Sequence, residues 1–260
     1  MADLRLGSMV AEDSGGSGPA VVLIHGLGGD SNTFEPLMSA LADYRVLRPD
    51  LPGAGRSALR PGRPGLKGLA AAVCDAVRLA GVERAHFAGH SMGTLLCQYL
   101  AADLPEAVLS LTLFGPILEP APAARQALSE RAETARRDSM AGIADSVSAA
   151  SIAEESRRAN PVAQAFVRES LMRQDPAGYA AHCRALAAAA AADHAAIRCP
   201  TLLIAGEKDP VAPVAMAQSL KNRISEAELT ILPDTGHWTT IEAPGQSAEL
   251  LRAHLDKSAP

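Results

Sequence analysis

The pentapeptide Gly89-His90-Ser91-Met92-Gly93 constrains this chain more than any other stretch. It stands between a short apolar run, Ala85 to Ala88, and a stripe of Met92, Leu95, Leu96, Tyr99 and Leu100 at the i, i+3, i+4, i+7, i+8 spacing of a helix face. A strand that feeds a helix through Gly-x-Ser-x-Gly turns so sharply that the positions two before and two after the serine have no room for a side chain. The same turn holds the serine in strained backbone geometry. Gly89 and Gly93 meet the spatial demand. Ser91 then sits at the apex, beside unpaired N–H groups and the positive end of the helix dipole. The Met92 N–H is therefore the expected first donor to an oxyanion formed there.

The rest of the chain supplies the sheet that such a turn needs. Ala20 to Ile24 is an unbroken apolar run, as a parallel strand buried on both faces requires. It ends at His25-Gly26-Leu27-Gly28-Gly29, a segment whose backbone folds close to the serine and offers the Leu27 N–H as a second oxyanion donor. Asp3 to Asp13 reads as an edge strand or hairpin, closed by the Ser14 to Pro19 turn. Further strands are expected at Arg45 to Arg48, Val108 to Phe114, Pro200 to Gly206 and Glu228 to Leu232. Helices are expected from about Ser31 to Ala42, from Gly65 to Ala80 with Gly81 as its cap, from about Pro213, and from about Pro244. The alternation predicts a doubly wound, mostly parallel α/β sheet. From 117 to 196 strands vanish and alanine and arginine dominate, with helix starts at Asn160-Pro161 and Asp175-Pro176. This predicts a helical insertion, 117–196, within a core of 1–116 and 197–260. The run Ala185 to Ala192 reads as plain helix.

Composition excludes several classes. With 260 residues, 48% of them hydrophobic, the chain suits one α/β domain with an insertion. Its net charge of −5 and lack of a basic patch argue against nucleic acid or an acidic membrane surface as partner. No apolar run approaches a membrane span and no signal-like core follows Met1, so the expected location is the cytoplasm. Cys74, Cys97, Cys183 and Cys199 show neither disulfide-framework nor zinc-ligand spacing.

In order along the chain, strand-His-Gly-x-Gly-Gly, then Asp50-Leu51-Pro52-Gly53-Ala54-Gly55-Arg56-Ser57, then Gly-His-Ser-Met-Gly resemble the α/β-hydrolase family. The resemblance implies that the insertion is a lid and that Asp50 to Ser57 shapes a loop beside the site. Serine is a weak nucleophile at neutral pH and needs a base, which in turn needs a carboxylate to hold its tautomer. In this architecture the order is serine, acid, histidine. Asp209, just past a core strand in Gly206-Glu207-Lys208-Asp209-Pro210, fits the acid ahead of Asp234 or Glu119. His237, in Asp234-Thr235-Gly236-His237-Trp238, fits the base. His25, Gly26, His90 and Trp238 are expected to shape the site around these residues. No metal and no organic cofactor is called for.

Serine at the elbow separates the chain from haloalkane dehalogenases and epoxide hydrolases, which carry aspartate there. Gly-His-Ser-Met-Gly, the segment Cys199 to Gly206 with Asp209, and the compact Ala/Arg-rich insertion look like the 3-oxoadipate enol-lactonase group. Thr94 and Trp238 depart from that group, which often has a second glycine and a smaller residue at these places. The implied activity is hydrolysis of a small ester or lactone, with a carboxylate-bearing enol-lactone as the leading case. Arg125, Arg131, Arg157, Arg168 and Arg173 are the insertion's candidates to clamp that carboxylate. A carbon–carbon bond hydrolase, a cofactor-free perhydrolase and a slowly turning-over small-molecule receptor remain alternatives.

Overall fold

β3 (Ala20–Ile24) is buried on both faces along its whole length, and it occupies the middle of the molecule for that reason. The fold is seen in a computed structural model that describes residues 1–7, 9–59 and 65–258. Eight strands form one sheet in the order β1-β2-β4-β3-β5-β6-β7-β8. The others are β1 (Ala2–Leu6), β2 (Met9–Asp13), β4 (Arg45–Pro49), β5 (Ala85–His90), β6 (Val108–Phe114), β7 (Thr201–Gly206) and β8 (Ala227–Leu232). β1 and β2 form the antiparallel hairpin, β2 joins β4 antiparallel, and every later pairing is parallel. The sheet is the doubly wound, mostly parallel one that the sequence predicts.

Alternate residues of the central strands feed two cores. Val22, Ile24, Phe87, Leu111 and Leu113 pack under α1 (Gly65–Leu79) and α2 (Met92–Asp103). Val21, Leu23, Phe114 and Ile204 pack on the other face with Phe34, Leu37, Leu251 and Leu255, the last two from α10 (Pro244–Lys257). The α2 stripe lies inward as its spacing requires, but Met92 to Ala101 is buried on every side because α1 and the 3-10 turn His194–Ala196 pack against it as well as the sheet.

Between β6 and β7 lie α3 (Pro122–Arg137), α4 (Met140–Ser151), α5 (Glu154–Ala159), α6 (Pro161–Met172) and α7 (Pro176–Ala187), the last packed on α3 and α1. The Asn160 side chain accepts the Val162 N–H at 3.2 Å and that of Asp175 accepts the Gly178 N–H at 2.8 Å, so both proline-led helix starts are capped as expected. After β7 come α8 (Val214–Lys221) and α9 (Thr239–Glu242).

Two segments differ from expectation. Ser31–Leu41 forms 3-10 turns instead of an α-helix, because Pro36 inside it has no N–H to donate and its ring crowds the preceding turn. The alanine run is helical only to Ala187. Arg125 donates to the Ala187 carbonyl at 2.6 Å and the Tyr99 hydroxyl donates to that of Ala190, so distant side chains take carbonyls that a continuing helix would have used.

Asp50 to Ser57 is a structural loop. The buried Asp50 carboxylate accepts from the Ser31 N–H at 2.9 Å and from the Arg56 N–H and Nε at 3.0 and 2.7 Å. Burial alone would raise its carboxyl, but Arg56 outweighs that and holds it below the ordinary value. The Ser57 hydroxyl donates to the Asp50 carbonyl and accepts the Val10 N–H. From the insertion, His182 Nε2 donates to the Pro52 carbonyl at 2.9 Å. Among the described residues no helix is long and apolar enough to cross a membrane, and no group of three or more His, Cys, Asp or Glu side chains is placed to hold a metal ion.

Buried neutral histidines make stability depend on pH. Burial lowers His86 and His182 to about 4 and His90 to about 3, against 6.5 for an ordinary histidine. Below pH 6.5 the unfolded chain takes up protons that the folded chain refuses, so stability falls between about pH 6.5 and 4, by about 1.4 kcal/mol per unit for each such group. The urea midpoint should drop between pH 7 and pH 5, and His182→Gln, which keeps a donor for Pro52, should flatten the drop. A midpoint that stays constant over that range would contradict this.

Candidate active site

Parallel strands all end on the same edge of the sheet, so loops that follow different strands meet there. Ser91 follows β5, Asp209 follows β7 and His237 follows β8. His237 Nε2 lies 2.7 Å from Ser91 Oγ, and its Nδ1 lies 2.7 Å from Asp209 Oδ2. Because Nδ1 faces a carboxylate it carries the ring proton, leaving Nε2 to accept from the serine hydroxyl. The second Asp209 oxygen accepts the N–H groups of Val211 and Ala212 at 2.7 and 2.9 Å. Burial pushes the Asp209 carboxyl up, but the facing His237 and these N–H groups outweigh it and hold it below the ordinary value. All three side chains are buried. Asp234 and Glu119 make no such contact: the Ser156 hydroxyl donates to the Asp234 carbonyl, and the Glu119 carboxylate pairs with Arg125 at 3.3 Å.

The serine has φ 54° and ψ −119°, one of two positive-φ residues other than glycine among those described. Such a conformation costs about 1–3 kcal/mol and must be imposed by its neighbours. Its N–H donates to the Phe114 carbonyl at 2.9 Å, and Thr94 Oγ1 donates to its carbonyl at 2.6 Å. Thr94 Oγ1 also accepts the Ile117 N–H at 3.0 Å, fastening the start of the insertion to the turn. The departure from glycine at Thr94 is thus a structural bond. The motif glycines are needed for close approach: a Cβ on Gly93 would lie 2.1 Å from the Ile24 carbonyl oxygen, and one on Gly89 2.5 Å from that of Gly93.

Met92 opens α2, so its N–H has no acceptor within the helix. Leu27 lines the same cavity as Ser91. The His25–Gly29 loop is held from below and above. His25 Nδ1 donates to the Gly26 carbonyl at 2.8 Å while Nε2 accepts the Leu51 N–H at 3.0 Å. From α6, the Ser170 hydroxyl donates to the Gly28 carbonyl at 2.7 Å, and Gln174, just past that helix, donates to it at 3.3 Å. A Cβ on Gly26 would strike Ser91 Cβ and the His90 carbonyl, both at 2.8 Å. His90 Nε2 donates to the His237 carbonyl at 3.0 Å, and its ring lies 5.1 Å from that of His237 and 4.8 Å from that of Trp238. Held neutral by burial, it adds no positive charge beside His237.

The insertion also reaches the base. The Ser151 carbonyl accepts the His237 N–H at 2.8 Å, and its hydroxyl accepts the Trp238 indole N–H at 3.0 Å. Nothing in the sequence marks Ser151, since its partners are 86 and 87 residues away. A cavity of about 470 Å³ opens onto Ser91 and His237, roofed mainly by apolar residues of the insertion. One charged side chain in it is unpaired by any carboxylate among the described residues: Arg131, on α3. The buried Tyr179 hydroxyl lies in the same wall, with no hydrogen bond of ordinary length but with the Arg131 and Cys183 side chains near it. Burial raises that phenol, and nearby Arg131 opposes the rise.

The family model for the alpha/beta hydrolase fold matches residues 19–244. The chain is 30% identical to 3-oxoadipate enol-lactonase 1 of Acinetobacter baylyi, over 87% of this chain and 84% of that protein. It superposes on the enol-lactonase of Burkholderia xenovorans with a TM-score of 0.90 at 27% identity, covering 98% of this chain and 100% of the other. A thermophilic esterase from Thermogutta terrifontis, with malate bound, gives 0.91 at 26% identity, covering 97% and 94%.

Proposed function

The chain belongs to the alpha/beta hydrolase family and is a hydrolase, and on that premise we propose that it cleaves a small ester or lactone through an acyl-enzyme, with Ser91, His237 and Asp209 as its triad. The observation that carries this reading is the buried relay of two 2.7 Å contacts from Ser91 through His237 to Asp209. Ser91 Oγ attacks the carbonyl carbon as its proton passes to His237 Nε2, and the N–H groups of Leu27 and Met92 take the oxyanion. Collapse breaks the bond to the leaving oxygen, which receives the proton from His237. In a lactone that oxygen stays tethered to the acyl group. Water, deprotonated by His237, then attacks the acyl-enzyme and releases the acid. Asp209 remains ionised throughout and offsets the imidazolium.

The cavity supports a small substrate that bears a carboxylate. Of the five arginines in question, Arg125 is taken by Glu119 and the Ala187 carbonyl, Arg168 by Asp145, and Arg157 by the carbonyls of Ala149 and Ile152. Arg173 is exposed. Arg131 is left facing the cavity with the Tyr179 hydroxyl beside it, a pairing suited to one carboxylate. The enol-lactonase relative and the malate-bound esterase support the same class. In this reading the helices α3 to α7 act as a lid over the reacting carbonyl.

Ser91→Ala should remove p-nitrophenyl acetate hydrolysis by several orders of magnitude while the circular dichroism spectrum stays unchanged. A folded variant that keeps more than about a tenth of wild-type turnover would overturn the assignment. Arg131→Ala should lower kcat/KM for a carboxylate-bearing lactone at least tenfold more than for a neutral ester of equal size, about 1.4 kcal/mol of selective binding. Equal losses on the two substrates would remove Arg131 from the substrate site.

A further inference from the structure

Three backbone N–H groups converge on a single carboxylate beside the His237 loop. Glu242 Oε2 accepts from Gly236 at 2.8 Å and from Ala153 at 3.0 Å, and Oε1 accepts from Trp238 at 2.9 Å. Gly236 and Trp238 flank His237, whereas Ala153 lies in the turn between α4 and α5. Ser151, the last residue of α4, supplies its carbonyl to the His237 N–H just before that turn. Every N–H from 236 to 238 is therefore held, the middle one by the insertion and the outer two by a side chain that also holds the insertion. The packing leaves no slack, since a Cβ on Gly236 would lie 2.6 Å from Ala153 N, 2.7 Å from the Ser151 carbonyl oxygen and 2.9 Å from Glu242 Oε1.

The carboxylate folds back from the end of the four-residue helix α9 to the N–H groups at and before its start, as an acidic side chain does in a capping box. Here one oxygen also reaches across to another part of the chain. Bonds from N–H groups to an ionised acceptor are stronger than neutral ones, so the carboxylate fixes two segments of backbone, the His237 loop and the turn at Ala153, at one point.

We propose that Glu242 is a positioning residue that mounts the His237 loop on the insertion, so that Nε2 meets Ser91 while Nδ1 meets Asp209. It touches neither the triad side chains nor the substrate cavity and acts only through the loop it holds. Two ring contacts of 2.7 Å have to be satisfied at once, and a small shift of the loop breaks one of them. The proposal rests on the reading of His237 as the general base.

The test uses the full chain carrying Glu242→Ala, Glu242→Gln or Ala153→Pro, with Ser91→Ala alongside. Ala153 has φ −59° and Ile152 is extended at φ −101°, ψ 134°, so proline suits the backbone there and removes one N–H, with its ring set against Oε2. Each variant is assayed for kcat and KM on p-nitrophenyl acetate and for its rate of labelling by a fluorophosphonate, both scaled to the folded fraction. Misplacing a base by a fraction of an ångström costs rate and not binding, so Glu242→Ala should lose about tenfold or more in kcat and in labelling rate, with KM within about threefold. Glu242→Gln, which retains one acceptor oxygen, should fall between alanine and wild type. Ala153→Pro should lower kcat by less than Glu242→Ala does. If Glu242→Ala does not fold, the other two decide. Wild-type kcat and labelling rates per folded molecule in the glutamine and proline variants, or a loss confined to KM, would overturn the proposal while a dead Ser91→Ala left the triad reading intact. An active Ser91→Ala would overturn both.

Discussion

The close approach of α2 to the end of β3 is the constraint from which the other features follow. A side-chain carbon at Gly93 would lie 2.1 Å from the Ile24 carbonyl oxygen, so the helix can dock there only without one. Docked in that way, α2 forces Ser91 to φ 54°, and the cost of about 1–3 kcal/mol is met by the bonds of the turn to Phe114 and Thr94 and by the burial of α2 on all sides. The serine hydroxyl is lifted off the sheet edge towards the loops after β7 and β8. The β3 loop is brought under it by the same contact, since Gly26 lies against Ser91 Cβ.

Around that point the molecule fixes charge. Asp209 is ionised in a buried site because two backbone N–H groups and His237 face it, and His90 is neutral because burial leaves it no other state. The insertion contributes more than a roof. It ties Thr94 through Ile117, the β3 loop through Ser170 and Gln174, and the His237 loop through Ser151 and Ala153. Each of the three segments that meet at Ser91 thus has a hydrogen bond to a residue between β6 and β7. Motion of that insertion cannot be independent of the site.

Much of this was legible in the sequence. Glycines two residues either side of a serine encode a close approach, an unbroken apolar run encodes a doubly buried strand, and a polar residue just beyond a strand end encodes a place on the sheet edge. With the serine, acid, histidine order that the resemblance implies, these features point to Ser91, Asp209 and His237, and the structure brings the three into two 2.7 Å contacts. Other features had no local signature. The bonds to Ala187 and Ala190 that stop α7 come from Arg125 and Tyr99, and helix propensity alone carries on through the run. Five arginines look alike along the insertion, and only packing sets Arg131 against the cavity. Glu242 lies five residues from His237, but one of its three partners is 89 residues away.

The central claim is that Ser91 carries the acyl group during turnover, and rapid quenching with mass spectrometry tests it directly. Mixed with p-nitrophenyl acetate and quenched in acid on the millisecond scale, the protein should show an acetyl group on the peptide containing Ser91, formed in step with the first release of nitrophenolate. Release of product with no acetylated protein at any time, or acetyl carried by a different residue, would contradict the account.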